Sequence, residues 1–412
     1  MDVCFADGRK AYDHEGTREE TPLKRPSGDI NLKMISILFF LHFTNDIYNS
    51  FVNPLLPAFA QTFSLTLAQV GLIGAISRAL SFVVQPLVGY AADHYRTRFF
   101  VLGGPLLSVI FIPLVGVTPN YLTLILCVAL GSLGTAMFHP PAAGMISAFA
   151  GSRFAFSMAV YNFGGTLAFA CGPIFITSVV AQYGLSNSYL TMPFGLVGLT
   201  LLFRKVPLPV HEGMKNFGFI GSLKEVFGEV WKGVVLLFVL AVLRTFIGQS
   251  FSTFFPVLYS REGYSLVSVG VMVSLFNVGG AVSGLLAGFL ADRVGYRPVF
   301  CVAYALAAPS LYLLLFVPKG AFVFAFLGGF FVMATLPLFV ALVQEIAPRG
   351  KSMASSLMLG LAYGTGGMMT ALTGKLADLF TIRSVLGVLT LVLLVMAGLV
   401  PLLPGKKSKP DL

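Results

Sequence analysis

In the stretch HFTNDIYNSFVN, residues 42–53, a histidine, an aspartate and three asparagines interrupt a run that is otherwise largely apolar. At the 100° per residue of an α-helix, His42, Asp46, Asn49 and Asn53 fall within an arc of about 60°, and Asn45 borders it. Asp46 is a protonatable carboxylate near the middle of an apolar span over 34–59, too deep for so short a side chain to reach bulk water. Exposing it to lipid would cost a few kcal/mol. This face must therefore line a polar cavity or a path that water enters.

Other polar groups interrupt other spans. Arg78 and Arg244 lie near the centres of theirs and need anionic partners or water. Pairing with Asp46 would supply both sides. Such a pair either fixes packing or exchanges a proton during a conformational change. His139, in FHPP, titrates near neutral pH, or its imidazole bonds a carbonyl that the double proline frees. Gln85, Tyr161, Asn162, Gln249, Asn277 and Gln344 add neutral polarity, either contacting a zwitterionic or amphipathic solute or forming an interhelical network. Arg244, Gln249 and Asn277 are the preferred contacts from the second part of the chain.

These groups need helices that cross a bilayer, and the composition supplies them. Of 412 residues 56% are hydrophobic and 11% charged, against about 25% charged in soluble domains. Hydropathy divides the chain into twelve spans, near 34–59, 67–91, 99–118, 120–147, 154–181 and 186–203, then 233–258, 265–291, 298–318, 320–345, 352–376 and 384–404. An even number places both termini on one side. With that side cytoplasmic, the opposite loops hold only Arg261, Lys319, Lys375 and Arg383. Every other Lys and Arg outside the spans then falls on a tail or an inward loop, as the positive-inside rule requires. The same placement argues against a nucleic-acid surface despite a net charge of +10. The four cysteines have no metal-ligand spacing.

The expected organisation is all-α: a polar cytoplasmic tail (1–33), six helices (34–203), a cytoplasmic linker (204–232), six more helices (233–404) and a short cytoplasmic tail (405–412). An offset of 199 residues relates the two sets. Pro57 pairs with Pro256, Gly71 with Gly270, Gly89 with Gly288 and Asp93 with Asp292. An offset of 202 relates Gly165 to Gly367 and Gly172 to Gly374. Such duplication suits a transporter whose halves rock about a central site. At the first offset Arg78 matches Asn277 and Arg244 matches Asn45, so the repeat carries an asymmetric decoration.

GFLADRVGYR, with Gly288, Asp292, Arg293, Gly295 and Arg297, resembles the loop signature of the major facilitator superfamily. Its first copy, GYAADHYRTR, keeps Gly89, Asp93 and Arg98. The resemblance implies that these loops latch the outward-facing state, the aspartates accepting hydrogen bonds from a neighbouring helix end. HFTNDIYNSFVNPLLP, MFHPPAAGMIS and YNFGGTLAFACGP resemble the fosmidomycin-resistance branch, whose members are proton-driven drug exporters. Pro141 and Ala168 depart from that branch's acidic residue and glycine. The combined expectation is a monomeric transporter in a bacterial or archaeal plasma membrane, in contact with lipids. It exports a small organic solute against protons and needs no cofactor or metal. Asp46 carries the proton, with His139 as the second titratable group and Arg78 and Arg244 as charge partners. Uptake or uniport on the same fold, or a receptor or assembly role, are the alternatives. No phosphate-binding loop, zincin motif or Ser/His/Asp arrangement points to an enzyme.

Overall fold

The computed structural model describes residues 29–94, 98–151, 153–206, 231–346 and 357–403. Nearly all of the two tails and of the linker lies outside them. Every regular element among the described residues is helical. In order these are α1 (Leu32–Asn49), α2 (Val52–Thr62), α3 (Leu67–His94), α4 (Phe99–Phe111), α5 (Tyr121–Phe149), α6 (Phe154–Tyr183) and α7 (Met192–Phe203). Then follow α8 (Trp231–Arg261), α9 (Leu266–Val294), α10 (Tyr296–Phe316), α11 (Ala321–Met333), α12 (Leu336–Ile346), α13 (Tyr363–Met368), α14 (Thr370–Leu379) and α15 (Ile382–Leu399).

Among the described residues, nine helical segments are long and apolar enough to cross a membrane. They make the chain an integral, polytopic membrane protein. The other three expected spans are helical but interrupted. The 34–59 span breaks at Ser50 and Phe51, between α1 and α2. The 186–203 span starts as a 3-10 turn (Leu185–Thr191) before α7. Within 352–376, a π-helical turn (Leu357–Ala362) precedes α13, and Met369 separates α13 from α14. A π turn widens a helix locally and often marks a functional position. Large apolar side chains such as Phe194 and Leu285 point outward, where acyl chains solvate them.

Local signals start several helices. Asn31 caps α1 through the Met34 N–H, Asn120 and Thr123 form a reciprocal capping box on α5, and Thr381 caps α15. Pro140 and Pro141 lie inside α5 without ending it. They remove the donors that would satisfy the Ala136 and Met137 carbonyls, leaving polar backbone beside His139.

α1 packs on α4, α5 and α6, and α3 on α5, α13 and α14; α9 lies against α6 and α11, and α8 against α2 and α13. Asn53 donates to Ser252 Oγ at 2.9 Å, joining positions 199 apart in the chain. At the first turn of α3, both carboxylate oxygens of Asp378 on α14 accept backbone N–H groups, from Leu67 at 2.7 Å and Ala68 at 2.8 Å. A helix N-terminus leaves such donors unpaired and carries partial positive charge, so the carboxylate is doubly suited to it. One turn inward, Thr370 Oγ1 donates to the Gly71 carbonyl at 3.2 Å. α3 and α14 are thus clamped at this end. Replacing Asp378 with Ala should destabilise the fold by roughly 1–2 kcal/mol. It should be read as a lower thermal unfolding midpoint of the purified full-length protein; an unchanged midpoint would mean those N–H groups find equal partners without it.

Candidate functional site

Asp46 is 5% exposed and His42 6% exposed, both on the inner side of α1. His42 Nδ1 lies 2.9 Å from the Tyr161 carbonyl oxygen of α6. A carbonyl only accepts, so Nδ1 carries a hydrogen. His42 Nε2 lies 3.1 Å from Asp46 Oδ2. Two bare acceptors would repel at that distance. One proton must therefore sit between them, making either an imidazolium facing a carboxylate or a neutral acid donating to a neutral ring. The pair carries no net charge in either form.

The other oxygen of Asp46 is also engaged. Asn45 Nδ2 donates to Oδ1 at 2.8 Å, and His139 Nε2 from α5 lies 3.4 Å from it. Ser108 Oγ on α4 donates to Asn45 Oδ1 at 3.2 Å. Tyr161 stacks on His42, ring centroids 4.2 Å apart, and its buried hydroxyl has no hydrogen-bond partner among the described residues. α1, α5 and α6 therefore converge on one carboxylate. Gly165 of α6 makes this possible: a β-carbon there would overlap His42 Nε2 and lie 2.8 Å from Asp46 Oδ2. The donor atoms of His42, Asp46 and His139 lie within 4.8 Å of one another, close enough for a metal ion as well. The contacts described are direct imidazole–carboxylate hydrogen bonds, which hold a proton.

The expected pairing of Asp46 with Arg78 or Arg244 is replaced by these histidines. The arginines form a separate group. With the Gln249 amide oxygen facing Arg78, it accepts from Nη2 at 2.8 Å, from Nε at 3.3 Å and from the Tyr363 hydroxyl at 3.1 Å. The Arg78 guanidinium also lies over the Tyr363 ring, 4.9 Å from its centroid. Arg244, 3% exposed, donates from Nε to the Val332 carbonyl at 2.9 Å. Between the two groups is a cavity of about 240 Å³, lined by Arg78, Ser81, Gln85 and His139 together with Leu336, Gly360, Tyr363 and Gly364.

The remaining sequence candidates divide. Gln85 lines the cavity and Gln249 holds Arg78. Asn53 and Asn277 are spent on contacts between elements, Asn277 donating to the Phe169 carbonyl at 3.2 Å. Asn49 is half-buried and Asn162 is exposed on α6. Of the loop residues, Gly295 has φ +86° and turns the chain between α9 and α10. Arg297 donates to the Leu403 carbonyl from Nε at 2.8 Å, and Arg293 lies over the Phe289 ring of its own helix. Asp292, expected to cap a neighbouring helix end, is exposed and has no ion pair among the described residues. It lies near the C-terminal end of α9. Arg98 is half-buried at the start of α4, while the side chains of Gly89 and Asp93 lie outside the described residues, although both positions fall on α3. Tyr363 and Ser81 were not anticipated. Ser81 had a signal, standing three residues after Arg78 and four before Gln85, on one helical face.

Membrane-crossing helices around a polar cavity with buried ionisable groups define a carrier of small solutes. The profile of the Major Facilitator Superfamily matches residues 38–276 and 263–411, and the chain belongs to that family. It is 24% identical over 344 residues to the fosmidomycin resistance protein of Escherichia coli (strain K12), covering 82% of this chain and 84% of that one. It is 25% identical over 380 residues to the MFS-type transporter YfnC of Bacillus subtilis (strain 168), covering 87% and 90%. Its fold superposes with a TM-score of 0.77 on a bacterial homolog of the human lysosomal transporter Spinster, at 17% identity, over 91% of this chain and 97% of that one. The chain is thus a secondary transporter of a small molecule and not an enzyme.

Gly165→Val should push His42 and Asp46 apart and abolish solute flux in vesicles, while Gly165→Ala should lower it less. Normal flux in the Val variant would show that the pair need not be kept intact.

Proposed function

We propose that this chain is a proton-coupled exporter of a small organic solute, in which the His42–Asp46 pair with His139 holds the exchanged proton. The observation that carries the reading is the hydrogen-bond balance: the Tyr161 carbonyl fixes the hydrogen on His42 Nδ1, so the 3.1 Å contact with Asp46 requires one more proton. Removing it places a lone pair against a carboxylate within α1, a repulsion relieved if the imidazole turns, which would strain its bond to the Tyr161 carbonyl of α6. α6 packs on α9 from the second part of the chain, so the local loss reaches an interface that alternating access must change.

Two six-helix halves supply that interface. The Asn53–Ser252 bond joins positions equivalent under the 199-residue repeat, and equivalent positions can touch only close to the axis relating them. This favours a twelve-span arrangement with six-helix halves at 34–203 and 233–404, and both termini in the cytoplasm of a bacterial or archaeal plasma membrane. The chain is expected to work as a monomer among lipids, protons and its solute, driven by the proton gradient. Export is favoured over uptake by the likeness to a protein named for resistance to fosmidomycin, along 82% of this chain.

Asp46→Asn removes the carboxylate while keeping shape. In vesicles it should abolish accumulation driven by a pH gradient and leave gradient-free solute exchange within a few fold. Undiminished gradient-driven accumulation in this variant would end the assignment to Asp46. Flux of the wild type that ignores gradients of either sign would favour uniport.

A further inference from the structure

The proton pair leaves one electrostatic problem open. It is neutral on its own, so Asp46 does not compensate the two arginines. Neither Arg78 nor Arg244 has an ion pair among the described residues. Three other acids are engaged elsewhere, Glu262 with Arg383, Asp378 with the α3 N-terminus and Glu345 with the Tyr296 hydroxyl, while Asp292 is exposed at the end of α9. Among the described residues Arg78 meets neutral groups, the Gln249 oxygen and Tyr363. Arg244 meets a carbonyl and is within electrostatic reach of Arg78. Two guanidinium groups are thus held near each other in a low-dielectric interior with no carboxylate paired to them among the described residues, an arrangement membrane proteins avoid unless an anion arrives.

The place is built. Gly367 leaves room for the Arg78 stem, whose Cβ lies 2.8 Å from where a β-carbon on that glycine would be. Arg78, Ser81 and Gln85 recur at helical spacing along the cavity face of α3, one cation followed by two hydrogen-bonding groups. The half-buried Arg78 reaches the cavity, while Arg244 stays behind it. About 240 Å³ is below the usual 300–1,000 Å³ of drug-sized pockets.

We propose that the Arg78 face of this cavity is an anion subsite and that the transported solute is a small organic anion. A carboxylate or tetrahedral oxyanion takes the place of the Gln249 oxygen on the Arg78 fork. Arg244 adds its positive field, and Ser81 and Gln85 contact the remainder. The proposal rests on the transporter reading above and names its substrate class. Because His139 lines the same cavity and faces Asp46, the anion and the proton share one chamber.

Calorimetry on the full-length protein at one fixed pH, with no gradient, tests this using butyrate, inorganic phosphate and neutral butyramide. Wild type should bind at least one anion and not butyramide, and which anion binds separates planar from tetrahedral recognition. Arg78→Gln should weaken binding about tenfold or more. Gln249→Glu places a carboxylate against Arg78, so it should weaken anion binding equally without lowering the thermal midpoint. That second variant decides the matter if Arg78→Gln does not fold. The subsite is overturned if neither anion binds wild type, if butyramide binds as well as butyrate, or if Gln249→Glu keeps wild-type affinity. Gradient-insensitive flux of a bound anion would instead end the proton reading and leave the subsite standing.

Discussion

A backbone carbonyl decides the chemistry at the centre of this protein. Tyr161 O accepts from His42 Nδ1, and that contact forces a proton into the gap between His42 Nε2 and Asp46 Oδ2. The tautomer of a histidine on α1 is therefore set by the main chain of α6. In a medium without water to make good a lost bond, this dependence is expensive to break. Gly165 keeps the helices near enough for the contact to exist. Geometry of the backbone and protonation of the side chains are one variable here, and a carrier needs such a variable if a proton is to move helices.

The second consequence is a separation of charge. Since the histidines neutralise Asp46, the guanidinium groups of Arg78 and Arg244 stay uncompensated across the cavity. A direct Asp46–arginine pair would have given a quieter interior and fixed the packing. The arrangement present keeps the Asp46 carboxylate and the Arg78 guanidinium apart, with His139 facing Asp46 and lining the cavity that Arg78 also lines. In the proposed cycle a solute and a proton then sense each other through space as well as through helix movement.

Much of this was legible in the sequence, and the limits have physical causes. The polar arc on 34–59 identified His42, Asn45 and Asp46 because helical period is a local property. Which counter-charge meets Asp46 is not local. It depends on α5 and α6 approaching α1, and the FHPP and FGG motifs signal close packing without saying which atom arrives. Arg78 and Arg244 were recognised as groups needing partners, yet their neutral neighbours Gln249 and Tyr363 come from α8 and α13. The interruptions at Ser50 and Phe51 and at Met369 were hidden because hydropathy continues smoothly across them. Asp378 gave no hint of its role: a carboxylate near a span end reads as a solvated residue until another helix begins against it.

The two ends of the molecule differ in kind. At the start of α3, a carboxylate on helix N–H groups and a hydroxyl on a carbonyl bind α3 to α14. Toward the other end of α3, Arg78, Ser81 and Gln85 face a cavity that Gly360 of the π-helical turn and Tyr363 and Gly364 of α13 also line, while Phe82 packs directly on Gly364. Asp292 stands exposed at the matching end of α9, and the Arg293 fork rests on its own helix. Contacts at one end are formed, while at the other Arg297 holds the Leu403 carbonyl and Asp292 has no ion pair among the described residues. In the proposed cycle, closing the cavity end moves both ends of α3 and α9 together, because they are single helices of 28 and 29 residues and a tilt that brings in one end carries out the other. The proposed proton at Asp46 and anion at Arg78 would act by biasing that tilt.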